Sequence, residues 1–250
     1  MVRLLVFAYG VFCYLLFLVS FLYAIGFAAN LVVPKGIDDG ATESVTLAVM
    51  VDLGLLSLFA IQHSVMARPA FKQWWVRYVA PPIERSTYVL FSSLVLLLLF
   101  WLWRPLPDSI WHVTHPIAAG AFWSVFGLGW AIVLGASFLI SHFDLFGLRQ
   151  VYLYAKGQPY ESLPFQTPGL YGLVRHPLMV GFVLALWATP TMTQGHLLFA
   201  FVTTAYILVA VQLEERDLAA YHGDKYIAYQ SQVRMLLPLP KTSPRAEIEA

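Results

Sequence analysis

A short polar sequence interrupts the apolar carboxyl-terminal half of the chain. Arg175, His176 and Pro177 stand directly before one apolar stretch, and Glu214 and Glu215 follow the next. Charged residues beside a membrane core are costly and occur mainly where they form a site. A histidine exchanges a proton near neutral pH, and a carboxylate accepts hydroxyl hydrogen bonds. The pattern indicates a binding site with acid–base chemistry, and the alternative is a helix start with a snorkelling arginine.

The same residues predict a helix that starts inside the site. Proline is tolerated at the first helical position, so the apolar helix begins at Pro177 with His176 at its cap. The free backbone N–H groups at such a start attract a carboxylate or a phosphate. Gly181, one turn later, lets another group approach the backbone closely. Adjacent Glu214 and Glu215 cannot share one helix face, so at most one of them points fully into a pocket.

Two tyrosines follow on a short amphipathic segment. Tyr226 and Tyr229 are three residues apart and therefore share a helix face. Aromatic rings attract sulfonium or ammonium groups through cation–π interactions. The pair indicates either a binding face for such a cation or packing of the segment on the membrane surface.

A second polar group follows the fourth apolar stretch. His142, Asp144, Arg149 and Gln150 line a polar entrance in one interpretation and belong to a solvated loop in the other. His63 lies at the end of the second apolar stretch and is a second-rank candidate, because a lone histidine there is more often structural. No histidine pair has the i, i+4 spacing or the cysteine partner typical of metal sites, so no metal is predicted.

The composition indicates an all-α polytopic membrane protein. Of the 250 residues, 59% are hydrophobic and only 12% are charged, about half the charged fraction of a soluble domain. No basic run is present that could follow phosphates, so the sequence predicts no nucleic-acid partner. The single Cys13 excludes an internal disulfide.

Apolar stretches of roughly 20 residues predict five to six transmembrane helices. The predicted spans are Leu4–Ala29, Val45–Met66, Tyr88–Trp103 and Ile117–Ile140, followed by a hairpin of Pro177–Thr189, which is short for a full span, and His196–Gln212. We expect a single domain over residues 1–238, in which the spans of residues 1–140 precede a site-forming half, residues 141–238. Residues 239–250 are predicted to be a disordered tail.

The loop charges predict the orientation. Residues 67–85 hold four basic residues and one acidic residue, whereas residues 30–44 hold one basic and three acidic residues. Positively charged loops remain in the cytosol, so the amino terminus and the site, which opens to a cytosolic face, are predicted to be cytosolic.

The carboxyl-terminal pattern resembles that of integral-membrane methyltransferases, which include isoprenylcysteine carboxyl methyltransferases and bacterial phospholipid methyltransferases. The resemblance covers about Pro168 to Pro238 and implies an S-adenosylmethionine site in this half of the chain. The residues implied to hold the cofactor are Gly169, Tyr171, His176, Met179, Glu214, Glu215, Tyr226 and Tyr229. The carboxyl methyltransferases carry a tyrosine in place of Met179 and an arginine in place of Gln232, which argues against a prenyl-cysteine carboxylate as substrate.

The amino-terminal half is similar to the bacterial methanethiol S-methyltransferases, a branch once grouped with NnrU-type membrane proteins. Three motifs carry the similarity, and they are Gln62-His63-Ser64, Glu84-Arg85-Ser86-Thr87-Tyr88 and His142 to Gln150. The resemblance implies methylation of methanethiol to dimethyl sulfide. It also implies a multi-pass protein of the bacterial inner membrane, whose partners are the small thiol and the lipid bilayer. No obligate protein partner is indicated.

Thiol methylation requires a base or a nearby cation, because the thiolate is the nucleophile. The candidates are His176, His142, Arg175 and Arg149, and the candidate substrate-binding residues are His63, Asp144 and Gln150. Two alternatives remain open. One is a membrane methyltransferase that acts on a lipid or prenylcysteine acceptor, and the other is a non-enzymatic membrane protein that handles haem or a metal.

Overall fold

The computed structural model describes residues 1–239, and the predicted disordered tail therefore lies outside the described residues except for Leu239. Helices dominate this part of the chain, which confirms the all-α polytopic class. They are α1 (Val2–Ala29), α2 (Val45–Ala67), α3 (Pro69–Trp75), α4 (Pro81–Leu102), α5 (Pro116–Ile140), α6 (His142–Leu145), α7 (Leu148–Lys156), α8 (Pro177–Trp187), α9 (Gln194–His222) and α10 (Asp224–Gln232).

Five of these helices, α1, α2, α4, α5 and α9, are long and apolar enough to cross a membrane. The sixth, α8, has 11 residues and a length of about 17 Å, which is short of the roughly 30 Å hydrocarbon core. The end of the bundle where α1, α4 and α8 begin and α2, α5 and α9 end is called the N-face below. The Tyr9–Thr87 hydrogen bond near this end of α1 and α4 has an O–O distance of 3.0 Å.

Glycines bring α5 and α8 into close contact. A Cβ atom on Gly181 would lie 2.6 Å from the carbonyl oxygen of Gly129, and one on Gly129 would lie 2.6 Å from the backbone nitrogen of Ala185. The predicted close approach at Gly181 is therefore an approach of the neighbouring helix. At the opposite end of the bundle, Phe27, Trp103 and their neighbours form a buried aromatic core.

The end opposite the N-face is closed by a small sheet that the sequence did not predict. Strand β1 (Ser109–His112) pairs antiparallel with β2 (Thr191–Thr193), which lies in the predicted turn of the α8–α9 hairpin. Threonine is a β-branched residue that favours strands, and this preference accounts for the local conformation. The chain after α8 thus continues into β2 and then α9 without a longer helix.

Candidate functional site

A cavity of about 1310 Å³ lies between the long helices and includes N-face residues in its wall. All five long helices, α8, α10 and the loop after α7 contribute to the wall. On α4 the lining runs from Pro81 to Phe100, a separation of 19 residues or about 28 Å along the helix axis. The cavity therefore extends through most of the thickness of a membrane.

Glu215 is the centre of a buried network at the start of α8. Arg175 donates to it from Nε at 2.6 Å and from Nη2 at 2.8 Å. The Nε2 atom of His176 lies 2.8 Å from the same carboxylate. The Tyr226 hydroxyl donates at 3.2 Å and the Gln230 amide at 2.6 Å. Five contacts saturate the two oxygens, so Glu215 positions its neighbours and is not part of the cavity wall.

The neighbouring carboxylate has the opposite environment. Glu214 lines the cavity with its side chain 46% exposed, and its Oε2 lies 3.6 Å from Nδ1 of His176. The expectation that the two carboxylates point in different directions is confirmed, because successive residues on a helix point about 100° apart. Glu214 is available to a ligand, and His176, which also lines the cavity, lies between the two carboxylates.

The carboxyl-terminal segment fixes the start of α8. The backbone N–H of Arg175 donates to the carbonyl of Arg234 at 2.9 Å, and that of His176 donates to the carbonyl of Met235 at 3.1 Å. Arg175 Nη1 donates to the carbonyl of Val233 at 2.5 Å. Because Nε and Nη2 donate to Glu215, all three guanidinium nitrogens of Arg175 form hydrogen bonds within the protein. The geometry therefore favours a positioning role for Arg175 over direct action on a substrate.

Aromatic side chains form the cavity wall beside this network. The Tyr229 hydroxyl donates to the carbonyl of Tyr171 at 2.5 Å, and both side chains are buried. The ring of Phe165, from the loop after α7, lies 5.8 Å from that of Tyr226 and 5.5 Å from that of Tyr229. Burial raises the pKa of the Tyr229 hydroxyl to about 12, so this residue remains neutral at physiological pH. Met179, on the first turn of α8, also faces the cavity.

His142 lies in a buried position on the cavity wall, just after the end of α5. Its Nδ1 lies 2.8 Å from Oγ of Ser137, and its Nε2 lies 2.8 Å from the Tyr14 hydroxyl. Its ring stacks on Phe138 with 4.2 Å between centroids. Burial lowers the pKa of His142 below its usual value, so the imidazole is neutral near pH 7 and can accept a proton.

His63 belongs to a third polar cluster on the wall. Its Nε2 lies 2.9 Å from the Tyr88 hydroxyl, and its Nδ1 lies 3.2 Å from Oγ of Ser92. The Cζ atom of Arg85 lies 5.1 Å from the centre of the Tyr88 ring. These side chains link α2 to α4 and face the same cavity as His142.

The remaining predicted substrate residues, Asp144 and Gln150, lie on α6 and α7. Asp144 accepts from Arg149 at 3.0 Å, and Gln150 donates to the backbone carbonyl of Asp144 at 3.1 Å. Asp144 and Gln150 line the cavity. The Gln150 Oε1 atom is buried and has no hydrogen-bond partner among the described residues. That atom is therefore free to accept a hydrogen bond from a ligand.

The cavity wall contains most of the predicted site residues. Of the candidates, the structure places His63, His142, Asp144, Gln150, Tyr171, Arg175, His176, Met179, Glu214, Tyr226 and Tyr229 on the wall. It places Glu215, Arg149 and Gly169 away from it. Arg149 is held by Asp144, by the carbonyl of Glu161 and by the ring of Tyr160. Gly169 adopts φ +53° in a 3₁₀ turn against Leu139, so its direct role is in the backbone turn before α8.

Several wall residues were missed by the sequence reasoning. Ser137 and Trp130 lie inside apolar spans without a local signal, and Phe165 lies in an irregular loop. The Tyr88 of the amino-terminal motif was visible in the resemblance, but its contact with His63 was not. Among residues 1–239, no group of three or more His, Cys, Asp or Glu residues is arranged to hold a metal ion.

Comparison with known proteins gives the family. The chain is 56% identical over 236 residues to the methanethiol S-methyltransferase of Crocosphaera subtropica, which covers 94% of this chain and 92% of that protein. It is 57% identical over 240 residues to the methanethiol S-methyltransferase of Mycobacterium tuberculosis, with 96% and 98% covered. The more distant Nurim of Bos taurus is 34% identical over 185 residues, with 70% of each chain covered.

No protein-family profile matches the chain. No solved structure matches it either. The identity to the bacterial enzymes extends over nearly the whole length of both chains and includes every helix that forms the cavity. The chain therefore belongs to the methanethiol S-methyltransferase family.

Proposed function

We propose that this protein transfers the methyl group of S-adenosylmethionine to methanethiol and forms dimethyl sulfide. The observation that carries the proposal is the 57% identity over 96% of the chain to a methanethiol S-methyltransferase. The cavity supports it, because one continuous wall joins carboxylate and aromatic groups at the N-face to His142 and His63 further inside.

The residues beside the start of α8 fit the cofactor. Glu214 offers a carboxylate that lines the cavity, and within residues 1–239 its closest side-chain partner is Nδ1 of His176 at 3.6 Å. Such a group accepts hydrogen bonds from ribose hydroxyls. The rings of Tyr226, Tyr229 and Phe165 attract a sulfonium through their faces. We propose that Glu215 and Arg175 do not touch the cofactor and instead hold His176 and Tyr226 in place.

We propose that His142 is the base that receives the thiol proton. A neutral imidazole has one accepting nitrogen, and burial keeps His142 neutral near pH 7. Tyr14 and Ser137 fix the ring, and the hydroxyl bonded to the accepting nitrogen turns away as the proton arrives. His63, Asp144 and Gln150 would line the acceptor region, with Arg149 holding Asp144.

S-adenosylmethionine would supply a methyl group bound to a sulfonium sulfur. The thiolate sulfur would form a bond to the methyl carbon while the bond from that carbon to the sulfonium sulfur breaks. The electron pair of the broken bond would remain on the departing sulfur. The protein has little covalent chemistry to perform. Its task is to align the donor and the acceptor and to keep water out, and such alignment accounts for a large part of many rate accelerations.

The N-face is proposed to be cytosolic. The end of α2, α3 and the start of α4 place Arg68, Lys72, Arg77 and Arg85 on that side, whereas Asp38, Asp39 and Glu43 lie with Lys35 in the loop at the opposite end. The positive-inside rule assigns the basic end to the cytosol. The water-soluble cofactor would then reach Glu214 directly from the cytosol.

The test is an assay of the purified protein with methanethiol and S-adenosylmethionine in lipid vesicles. We expect dimethyl sulfide in the headspace and S-adenosylhomocysteine in equal amount. His142→Gln should lower kcat about 100-fold or more, as for loss of a general base. It should leave cofactor binding, measured by calorimetry, unchanged. Product formation no faster than in vesicles without protein would refute the proposed activity.

A further inference from the structure

The cavity continues well beyond the groups that the proposed reaction needs. The polar belt is defined here as His63, Tyr88, Ser92, Ser137 and His142 on the wall. Above it the cavity extends toward the end opposite the N-face as an apolar arm, lined by Phe21, Ala24, Leu56, Leu96, Phe182 and Phe199. Methanethiol has one carbon and one sulfur atom and leaves such an arm empty.

The depth of the arm follows from helix geometry. On α4 the wall extends from Tyr88 in the belt to Phe100, which is 12 residues or about 18 Å. On α1, Ala24 lies 10 residues or about 15 Å beyond Tyr14, the residue that contacts His142. The total cavity of about 1310 Å³ also exceeds the roughly 300–1,000 Å³ typical of a site for one small ligand.

The polarity of the wall excludes the cofactor from the arm. Among the described residues that line the cavity, the charged ones lie between the N-face and the polar belt or at its level, and they are Arg68, Lys72, Glu84, Arg85, Asp144, Arg175, Glu214 and Asp217. The cofactor carries a carboxylate, an ammonium, a sulfonium and ribose hydroxyls. Placing these groups in the arm without partners would cost several kcal/mol for each group.

The arm does fit the apolar substituent of a thiol. A thiol sulfur in the polar belt would direct its carbon chain toward Phe21 and Leu96, away from the charged end. Trp130, at the side of the arm, packs on Phe21 with ring centroids 5.5 Å apart and on Phe182 at 5.7 Å. The arm ends against the buried aromatic core around Phe100 and Trp103, which limits the length of the chain.

We propose that the natural acceptor range extends to longer apolar thiols, whose alkyl or aryl substituent occupies the apolar arm while the sulfur reacts at the polar belt. This inference rests on the proposed function, because it uses the same cofactor and the same reacting centre. The bonds formed and broken are those of methanethiol methylation, with a longer substituent on the acceptor sulfur.

The test compares methanethiol, 1-propanethiol and 1-hexanethiol at known free aqueous concentrations. Burying one methylene contributes about 0.8 kcal/mol, which corresponds to about a fourfold lower KM for each added methylene. We expect KM to fall along the series while kcat changes little. Because KM refers to the free aqueous thiol, partition of the substrate into the vesicles does not produce the trend by itself.

Occluding the arm gives the second measurement. Ala24→Phe fills the far end of the arm from α1, and Leu96→Trp fills the arm independently from α4. Each variant should lower kcat/KM for 1-hexanethiol at least tenfold and leave that for methanethiol within about twofold. Methanethiol turnover by the same preparation reports that the variant is folded.

The outcomes separate the two proposals. If methanethiol is methylated but 1-hexanethiol has no lower KM, the arm does not bind the substituent and the inference is overturned. If 1-hexanethiol keeps its higher kcat/KM in both occluded variants, the inference is overturned as well, because the alkyl group of the thiol then lies elsewhere. If the wild-type protein does not methylate methanethiol, it is the proposed function that fails.

Discussion

Replacing Glu215 by glutamine should destabilise the protein far more than the same change at Glu214. Glu215 and Arg175 form a buried ion pair, with each side chain only 9% exposed. The glutamine retains the size of the side chain but removes its charge and directs an amide NH₂ group toward some of the five donors. Arg175 is then left buried without a counter-charge.

The magnitude follows from the burial of the pair. Breaking a buried ion pair by removing one partner costs about 3–5 kcal/mol. For a chain of this length, each kcal/mol lowers the unfolding temperature by about 2–4 °C, so Glu215→Gln should melt about 6–20 °C below the wild type. The Glu214 side chain is 46% exposed and lies 3.6 Å from His176. Its replacement by glutamine should therefore cost less than about 1 kcal/mol.

Thermal unfolding in one detergent, followed by circular dichroism and combined with calorimetric titration of S-adenosylhomocysteine, checks both variants. We expect Glu215→Gln to show the large loss of unfolding temperature. We expect Glu214→Gln to melt close to the wild type and to bind the cofactor product at least tenfold more weakly. Equal melting temperatures for the two variants would contradict the assignment of Glu215 as the positioning carboxylate and Glu214 as the ligand-binding one.

Two further predictions test the base and the helix packing. Because the pKa of His142 is lowered by burial, kcat/KM for methanethiol should stay level from about pH 7 to 8.5 and fall only below the usual histidine value near 6.5. A tenfold rise for each pH unit would instead identify thiolate from solution as the reactant and remove His142 as base. Gly181→Ala should lower the unfolding free energy by about 1–3 kcal/mol, because the added methyl group meets the backbone of α5. Gly135→Ala, on an open face of α5, is the matched control and should cause no loss; equal effects would refute the close-packing argument.

The membrane spans were largely predictable from the sequence because the length of apolar stretches is a strong signal. The ends were less predictable. The third span was expected to begin at Tyr88, but α4 begins at Pro81 and carries Glu84 in its first turn. The apolar stretch ends at the first charged residues, whereas the helix continues to a proline, which is favourable at the first helical position. The last predicted span ends at Gln212, whereas α9 continues past it to His222, directly before Gly223.

Most of the candidate site residues lie on one cavity wall, but their arrangement was not predictable from the sequence. The cap at His176 and the divergent directions of the two carboxylates follow from local helix geometry, and both are observed. The pairing of Arg175 with the carbonyl of Arg234 joins residues 59 positions apart, and no local pattern indicates it. The partners of the Arg175 side chain, a carboxylate and backbone carbonyls, are likewise distant in sequence, so its positioning contacts could not be predicted.

The cavity wall depended most on tertiary contacts. His63 and Tyr88 are 25 residues apart, and Tyr14 and His142 are 128 residues apart. Each of these residues alone is compatible with an ordinary position in a membrane helix. Only the tertiary arrangement of α2, α4, α5 and α6 brings His63, Tyr88 and His142 into one polar belt, and so the apolar arm beyond the belt was not predicted at all.

The position of the polar belt between charged and apolar walls suits a reaction in which opposite charges cancel. Methyl transfer from a sulfonium to a thiolate consumes one positive and one negative charge, and the attraction between them is stronger where water is excluded. The same exclusion makes a free thiolate costly, so the proton should leave the thiol only when the methyl donor is in place. A buried, neutral His142 meets this requirement, because burial also makes its protonated form costly in the absence of a nearby negative charge. Under the proposed function, proton transfer and methyl transfer are therefore coupled by the low polarity of the cavity, with no need for a permanently charged base.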